Sequence, residues 1–134
     1  GINTFTAQEV ATHLTMLTHV IFRGVPPEEF LDKRFQQRKL SPHYHLLKEF
    51  VNRVQFIFIS EVLRHKNLET RAQTIALLVR TAEVCLQLNN YDSAVVLVGV
   101  LCDSSVHRLK HSWAEVEQVL PRHWDAVQHA VGTA

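Results

Sequence analysis

Apolar residues recur along this chain at steps of three and four rather than two, and caps, prolines and glycines divide them into helices. Thr6-Ala7-Gln8-Glu9 has the Thr-x-x-Glu form of a capping box, and Val10, Leu14, Leu17 and Ile21 follow at helical spacing. A first helix is therefore expected over about 6–23, ended by Gly24. Pro26-Pro27-Glu28-Glu29 opens a short second one, with Pro at the first turn and acids where the helix dipole favours them. After a polar linker over 33–40, Ser41-Pro42 supplies an N-cap followed by Pro at the first helical position. Leu47, Phe50, Val51, Val54, Ile57, Phe58, Val62 and Leu63 then form a wide apolar face on a long helix. Asn67 caps the next, on which Ala72, Ile75, Ala76, Val79, Ala82 and Leu86 fall at steps of three and four until it runs out near Leu88.

The stretch LQLNNYDSAVVLVGVL, residues 86–101, is harder to assign. Val95, Val96, Val98 and Val100 are β-branched and also fit a strand. A helix over 91–102 is expected because every neighbour is helical, no second strand is there to pair with it, and a run apolar on all sides suits a central helix surrounded by others. Asn89 and Asn90 suit a turn that ends one helix and caps the next. Beyond it, Ser104 or Ser105 caps a short helix carrying Val106, Leu109 and Trp113, and Pro121 starts a last one with Trp124 and Val127. The expectation is one all-α domain over 1–134, an irregular orthogonal bundle of about six to seven helices.

Composition narrows the chemistry. Lys+Arg at 14 against Asp+Glu at 13 gives a net charge of +1, with no basic excess for nucleic acid or an anionic membrane surface. Lys33, Arg34, Arg38 and Lys39 form the one local basic cluster, expected to be a solvated loop rim. Cys85 and Cys102 sit inside apolar helical patterns without CxxC spacing, so two free buried thiols in a reducing compartment are expected. No apolar run is long enough to span a bilayer and no signal peptide is visible, which places the chain in the cytosol, with any recruitment to membranes left to other parts of a parent protein. The four glycines are scattered at Gly1, Gly24, Gly99 and Gly132, so there is no phosphate-cradling loop. Among the nine histidines, His107 and His111 stand four apart and His43 and His45 flank Tyr44, but neither pair has a third ligand at a matching spacing, so no metal and no cofactor is expected. Ser104 and Ser105 near His107 are better used as helix caps than as a nucleophile. No catalytic residue emerges.

A collinear series of motifs goes further. Glu9-Val10-Ala11-Thr12-His13-Leu14-Thr15, then Leu17, Phe22, Val25-Pro26-Pro27 and Glu29-Phe30-Leu31 are followed by Leu40-Ser41-Pro42, Val51-Asn52-Arg53-Val54, Glu61-Val62-Leu63 and Arg71-Ala72. Cys85, Leu88-Asn89-Asn90-Tyr91, the run from Ser104 to Lys110 and Ser112-Trp113 complete it. The series resembles the first half of the catalytic domain of Ras-family guanine-nucleotide exchange factors, the Son-of-sevenless type, and Asn52, Asn89, Asn90, Arg108 and Trp113 are its structural landmarks.

The resemblance implies a Ras-family small GTPase as partner and a role in promoting GDP release without covalent chemistry. It also implies a longer domain. The helical hairpin that pushes aside the first switch of the GTPase lies in the half this chain lacks, so weak or no exchange by this chain alone is expected. The faces that grip the second switch correspond here to His45, Lys48 and Glu49 on the helix after Ser41-Pro42, and to Val95 and Cys102 on the helix after the Asn pair; His107 lies beside the same surface. His45 and Lys48 stand where the family usually has aliphatic residues, and a lysine in an apolar grip costs affinity unless its ammonium reaches water or a carboxylate. The alternative is an exchange-inactive adaptor of the same fold. If a missing half normally covers the faces of Val95 and Leu101, self-association is the expected way to hide them.

Overall fold

The structure is a computed structural model that describes residues 1–30 and 42–133. The basic cluster Lys33, Arg34, Arg38 and Lys39, the 33–40 linker, Leu31, Leu40 and the expected Ser41 cap lie outside the described residues. Seven α-helices and no strand are found among the described residues: α1 (Ala7–Arg23), α2 (Pro42–Leu63), α3 (Leu68–Gln87), α4 (Tyr91–Cys102), α5 (Ser104–His107), α6 (Lys110–Val119) and α7 (His123–Thr133). Single 3-10 turns at Ile2–Thr4 and Pro27–Phe30 precede α1 and α2, so the expected short second helix is one tight turn.

Local chemistry sets the helix ends. Thr6 and Glu9 form the reciprocal capping box, Glu9 N–H to Thr6 Oγ1 at 3.1 Å and Thr6 N–H to Glu9 Oε1 at 3.0 Å. The Thr6 amide holds the Glu9 carboxyl below its ordinary pKa. Asn67 Oδ1 accepts from the amides of Glu69 (2.8 Å) and Thr70 (3.2 Å) to start α3. At the other end, Asn90 N–H bonds back to Cys85 C=O at 2.8 Å and Asn89 N–H to Leu86 C=O at 3.1 Å, the 6→1 and 5→2 pair of a Schellman motif. Asn89 supplies the left-handed residue that this motif requires, at φ 60°. Asn90 then caps α4 by accepting from Ser93 N–H.

Two expected starts are shifted. Asp103, not Ser104 or Ser105, caps α5: its Oδ2 accepts from Ser105 N–H (3.1 Å) and Oγ–H (2.5 Å), bonds that lower its carboxyl pKa. The expected single helix through Trp113 is two helices, because α5 stops after His107 and α6 begins at Lys110. Pro121 lies in a turn before α7 instead of opening it, and Arg122 at φ 65° reverses the chain there.

Helix α3 is the axis of the bundle and packs against α1, α2, α4, α6 and α7. Ala72, Ile75, Val79 and Ala82 are buried as the spacing predicts, and Thr74, Leu78, Thr81 and Cys85 are buried too. The two threonine hydroxyls donate back to Thr70 C=O (3.1 Å) and Leu77 C=O (2.7 Å), and Thr74 Oγ1 also accepts from Asn3 Nδ2 at 2.9 Å. Helix α1 buries Ala7, Ala11, Leu14 and Thr18. This stripe is turned from the expected one, for Leu17 is 50% exposed; the small alanines let α1 lie close against the core. On α2 only Leu47 and Val62 are fully buried, and Ile57, which the periodicity places on the inner face, is exposed with Phe56. Trp113 and Trp124 stack at 5.2 Å, joining α6 to α7, and His123 Nδ1 lies 2.8 Å from both carboxylate oxygens of Glu83 on α3. None of the helices among the described residues is long and apolar enough to cross a membrane.

Candidate functional site

The expected site residues fall on three helices that touch one another: α2 packs against both α4 and α5, and α4 against α5. His45, Lys48, Glu49 and Asn52 are spaced three and four apart, so they share one face of the first half of α2. Lys48, Glu49 and Asn52 are exposed, whereas His45 is half-buried against Tyr44, their rings edge-on at 5.7 Å. His45 Nε2 is buried without a hydrogen-bond partner among the described residues.

On α4, Val95, Gly99 and Cys102 follow at steps of four and three and form an exposed stripe about 10 Å long. Val95 is 42% exposed, while Ala94, Val96, Leu97, Val100 and Leu101 are buried on the other sides of the helix. Helix α4 is therefore central but not enclosed. Two expectations are corrected here. Cys102 is exposed rather than a buried thiol, since it lies on this stripe. Leu101 is fully buried against the core and belongs to no exposed face. Burial pushes the Cys102 thiol up, and pushes Cys85 up to about 11, so neither is an activated nucleophile.

Helix α5 brings exposed His107 and Arg108 to the same trio. The His107 ring lies 6.4 Å from Trp113, whose indole Nε1–H donates to Val106 C=O at 3.0 Å and holds the α5–α6 corner. Asn89 and Asn90 sit at the far end, in the turn that aims α4. Among the described residues, no group of three or more His, Cys, Asp or Glu side chains is placed to hold a metal ion.

Two features escaped sequence reasoning. Gln55 of α2 donates from Nε2 to Val96 C=O at 3.1 Å, linking the two longer helices of the trio. The signal for it was Gly99, an isolated glycine in a helix interior. Glu29, read as an acid beside a helix start and as part of the Glu29-Phe30-Leu31 motif, is buried and bonds the first free amide of α2, His43 N–H, at 2.9 Å, with its other oxygen 3.2 Å from His43 Nδ1. It caps α2 from across the 31–41 segment.

Comparison with known proteins bears on what such a trio serves. "Ras-specific guanine nucleotide-releasing factor 2" of Mus musculus is 28% identical over 133 residues, 97% of this chain but 11% of the relative. "Ras-specific guanine nucleotide-releasing factor 1" of Rattus norvegicus is 28% identical over 130 residues, 95% of the chain and 10% of the relative. "Ras guanine nucleotide exchange factor D" of Dictyostelium discoideum is 29% identical over 116 residues, 87% of the chain and 17% of the relative. The chain thus spans between a tenth and a fifth of the length of these relatives. The RasGEF domain family matches residues 9–133, which takes in all seven helices and the whole exposed trio. With all-α architecture, collinear motifs and this match in agreement, the chain belongs to the RasGEF domain family.

Proposed function

We propose that this chain is the first, GTPase-gripping part of a RasGEF domain, which takes the second switch of a Ras-family GTPase on the α2–α4–α5 trio and serves GDP release together with the rest of such a domain, with weak or no release by the chain alone. The observation that carries the reading is the open stripe Val95–Gly99–Cys102 on a helix whose other sides are buried. Family membership supplies the class of partner. Gripping works by linkage: a surface that binds the nucleotide-free GTPase better than the GDP-bound one lowers nucleotide affinity by the same factor. Val95 is the apolar anchor, with Cys102 and His107 beside it. Lys48, Glu49 and the half-buried His45 set partner choice at the edge, where individual contacts carry little energy.

In a release assay with labelled GDP on Ras, Rap and Ral proteins, a large excess of the 134-residue chain is expected to leave the rate near its intrinsic value. In a pull-down it is expected to retain the nucleotide-free form over the GDP-bound form, and Val95→Glu to abolish that retention. Clear acceleration of release would overturn the first expectation. Equal retention of both forms would instead favour the adaptor reading, to which the polar His45 and Lys48 point.

A further inference from the structure

Helix α4 carries its one glycine at the centre of the exposed stripe, between Val95 and Cys102. Glycine gives up more backbone freedom in a helix than alanine does, so its presence there asks for a local reason. A Cβ at Gly99 would stand 2.3 Å from Gln55 Nε2, closer than real atoms approach, so the carboxamide at the end of that side chain would have to move away. The Gln55 carboxamide fills the space of the missing side chain, and from there Nε2 reaches Val96 C=O at 3.1 Å. A carbonyl has two lone pairs, so it accepts this donor without giving up a helical bond.

We infer that Gln55 and Gly99 form a clip that fixes the spacing and register of α2 against α4, and thereby positions the two halves of the GTPase-facing surface relative to each other. The inference rests on the function proposed above. The clip has one register only. Sliding by a turn would set the amide over Val95 or Cys102, where a side chain occupies the space. Helix α2 is held at its start by Glu29 on the His43 amide and along its length by Leu47, Val54, Phe58, Ile59 and Val62, contacts that are apolar along the seam itself and so slide more easily than a hydrogen bond. Gln55 adds a directional contact to α4 itself, which bears on where His45, Lys48 and Glu49 stand relative to Val95 and Cys102. Gln55 is half-buried and Gly99 exposed, so the clip adds little to the core, and geometry can be separated from stability. Gln55 and Gly99 act through the residues around them and are positioning residues.

The test compares the full chain with Gly99→Ala, Gln55→Ala and the double variant in two measurements. The first is affinity for nucleotide-free Ras, Rap and Ral proteins alongside melting temperature. Gly99→Ala is expected to bind about fivefold to tenfold more weakly, as for loss of one hydrogen-bonded contact, while melting no lower than the parent chain. Gln55→Ala should weaken binding similarly, and the double variant should be no worse than either single, because both break one contact. Parent-like binding by Gly99→Ala, losses that multiply in the double variant, or a binding loss that only follows a fall in melting temperature would each overturn the inference. The second measurement is a pulsed dipolar distance between nitroxides on native Cys102 and on Ser60→Cys of α2, both exposed. A narrow distribution in the parent that broadens in each variant supports the clip; an unchanged distribution refutes it. If the parent chain binds no GTPase in the panel, the proposed function fails, and the clip stands or falls on the distance alone.

Discussion

Replacing Ser93 with alanine tests how α4 is held at its start. Ser93 is fully buried, and its Oγ lies 2.7 Å from Thr18 Oγ1 and 2.7 Å from Asn90 Nδ2. The proton order follows from the end groups. Asn90 Nδ2 can only donate and Thr15 C=O can only accept, at 3.2 Å from Thr18 Oγ1, so the chain runs Asn90 to Ser93 to Thr18 to Thr15. It ties the last turns of α1 to the first turn of α4. Ser93→Ala removes two bonds and leaves Asn90 Nδ2 only the 3.5 Å contact with Thr18, a loss of about 2–3 kcal/mol at roughly 1 kcal/mol per bond plus a partly orphaned buried donor. Thr18→Val keeps the shape and removes two bonds, the one shared with Ser93 and the one to Thr15 C=O, for about 2 kcal/mol at roughly 1 kcal/mol per bond. Because the shared bond is counted in both singles, the double variant should lose about 1 kcal/mol less than their sum. Urea unfolding at 25 °C followed by far-UV circular dichroism reads all four free energies, with the slope checked for constancy. A cost below about 0.5 kcal/mol for Ser93→Ala, or singles that add to the double within about 0.3 kcal/mol, would refute the reasoning.

Two further outcomes follow from geometry already described. Asn89→Gly should leave stability nearly unchanged, whereas Asn89→Ala should cost about 1 kcal/mol, since a Cβ without a polar side chain is disfavoured at φ 60°; equal effects in urea unfolding would mean the left-handed turn is not a constraint. Alkylation of the native chain at pH 8, read by mass spectrometry, should modify Cys102 alone. Cys85 is buried with its pKa pushed up to about 11, so it is about a thousandfold short of thiolate at that pH, and it should react only in denaturant.

Where a residue's local chemistry decides, the sequence was legible: the Thr6–Glu9 box, the Asn67 cap and the Asn89-Asn90 turn stand as their side chains require. The helical state of 91–102 also follows from it, because a lone strand has nothing to pair with. What it did not reveal is which way α4 faces. An all-apolar run has no moment, so Val95 and Cys102 outside and Leu101 inside are decided by neighbours far away in the chain. The same holds for α1, where small Ala7 and Ala11 rather than larger Leu17 face the core. Asp103 outcompeted the two serines as a cap because one carboxylate oxygen serves both the amide and the hydroxyl of Ser105. Gln55 looked like any polar residue on a helix surface, and only Gly99 hinted at it. The residues of the candidate surface were taken from family pattern, not from spacing, since their helical steps mark only a shared face and no catalytic constellation.

The placement of α3 has a consequence for synthesis of the chain. Its partners lie on both sides of it in sequence, α1 and α2 before, α4, α6 and α7 after. A nascent chain that has emerged only as far as Gln87 holds the bundle's axis with half its walls absent, so Ile75, Leu78 and Val79 stay partly wet until α4, α6 and α7 leave the ribosome. Burial of the axis therefore waits on α4, α6 and α7, which are made after it.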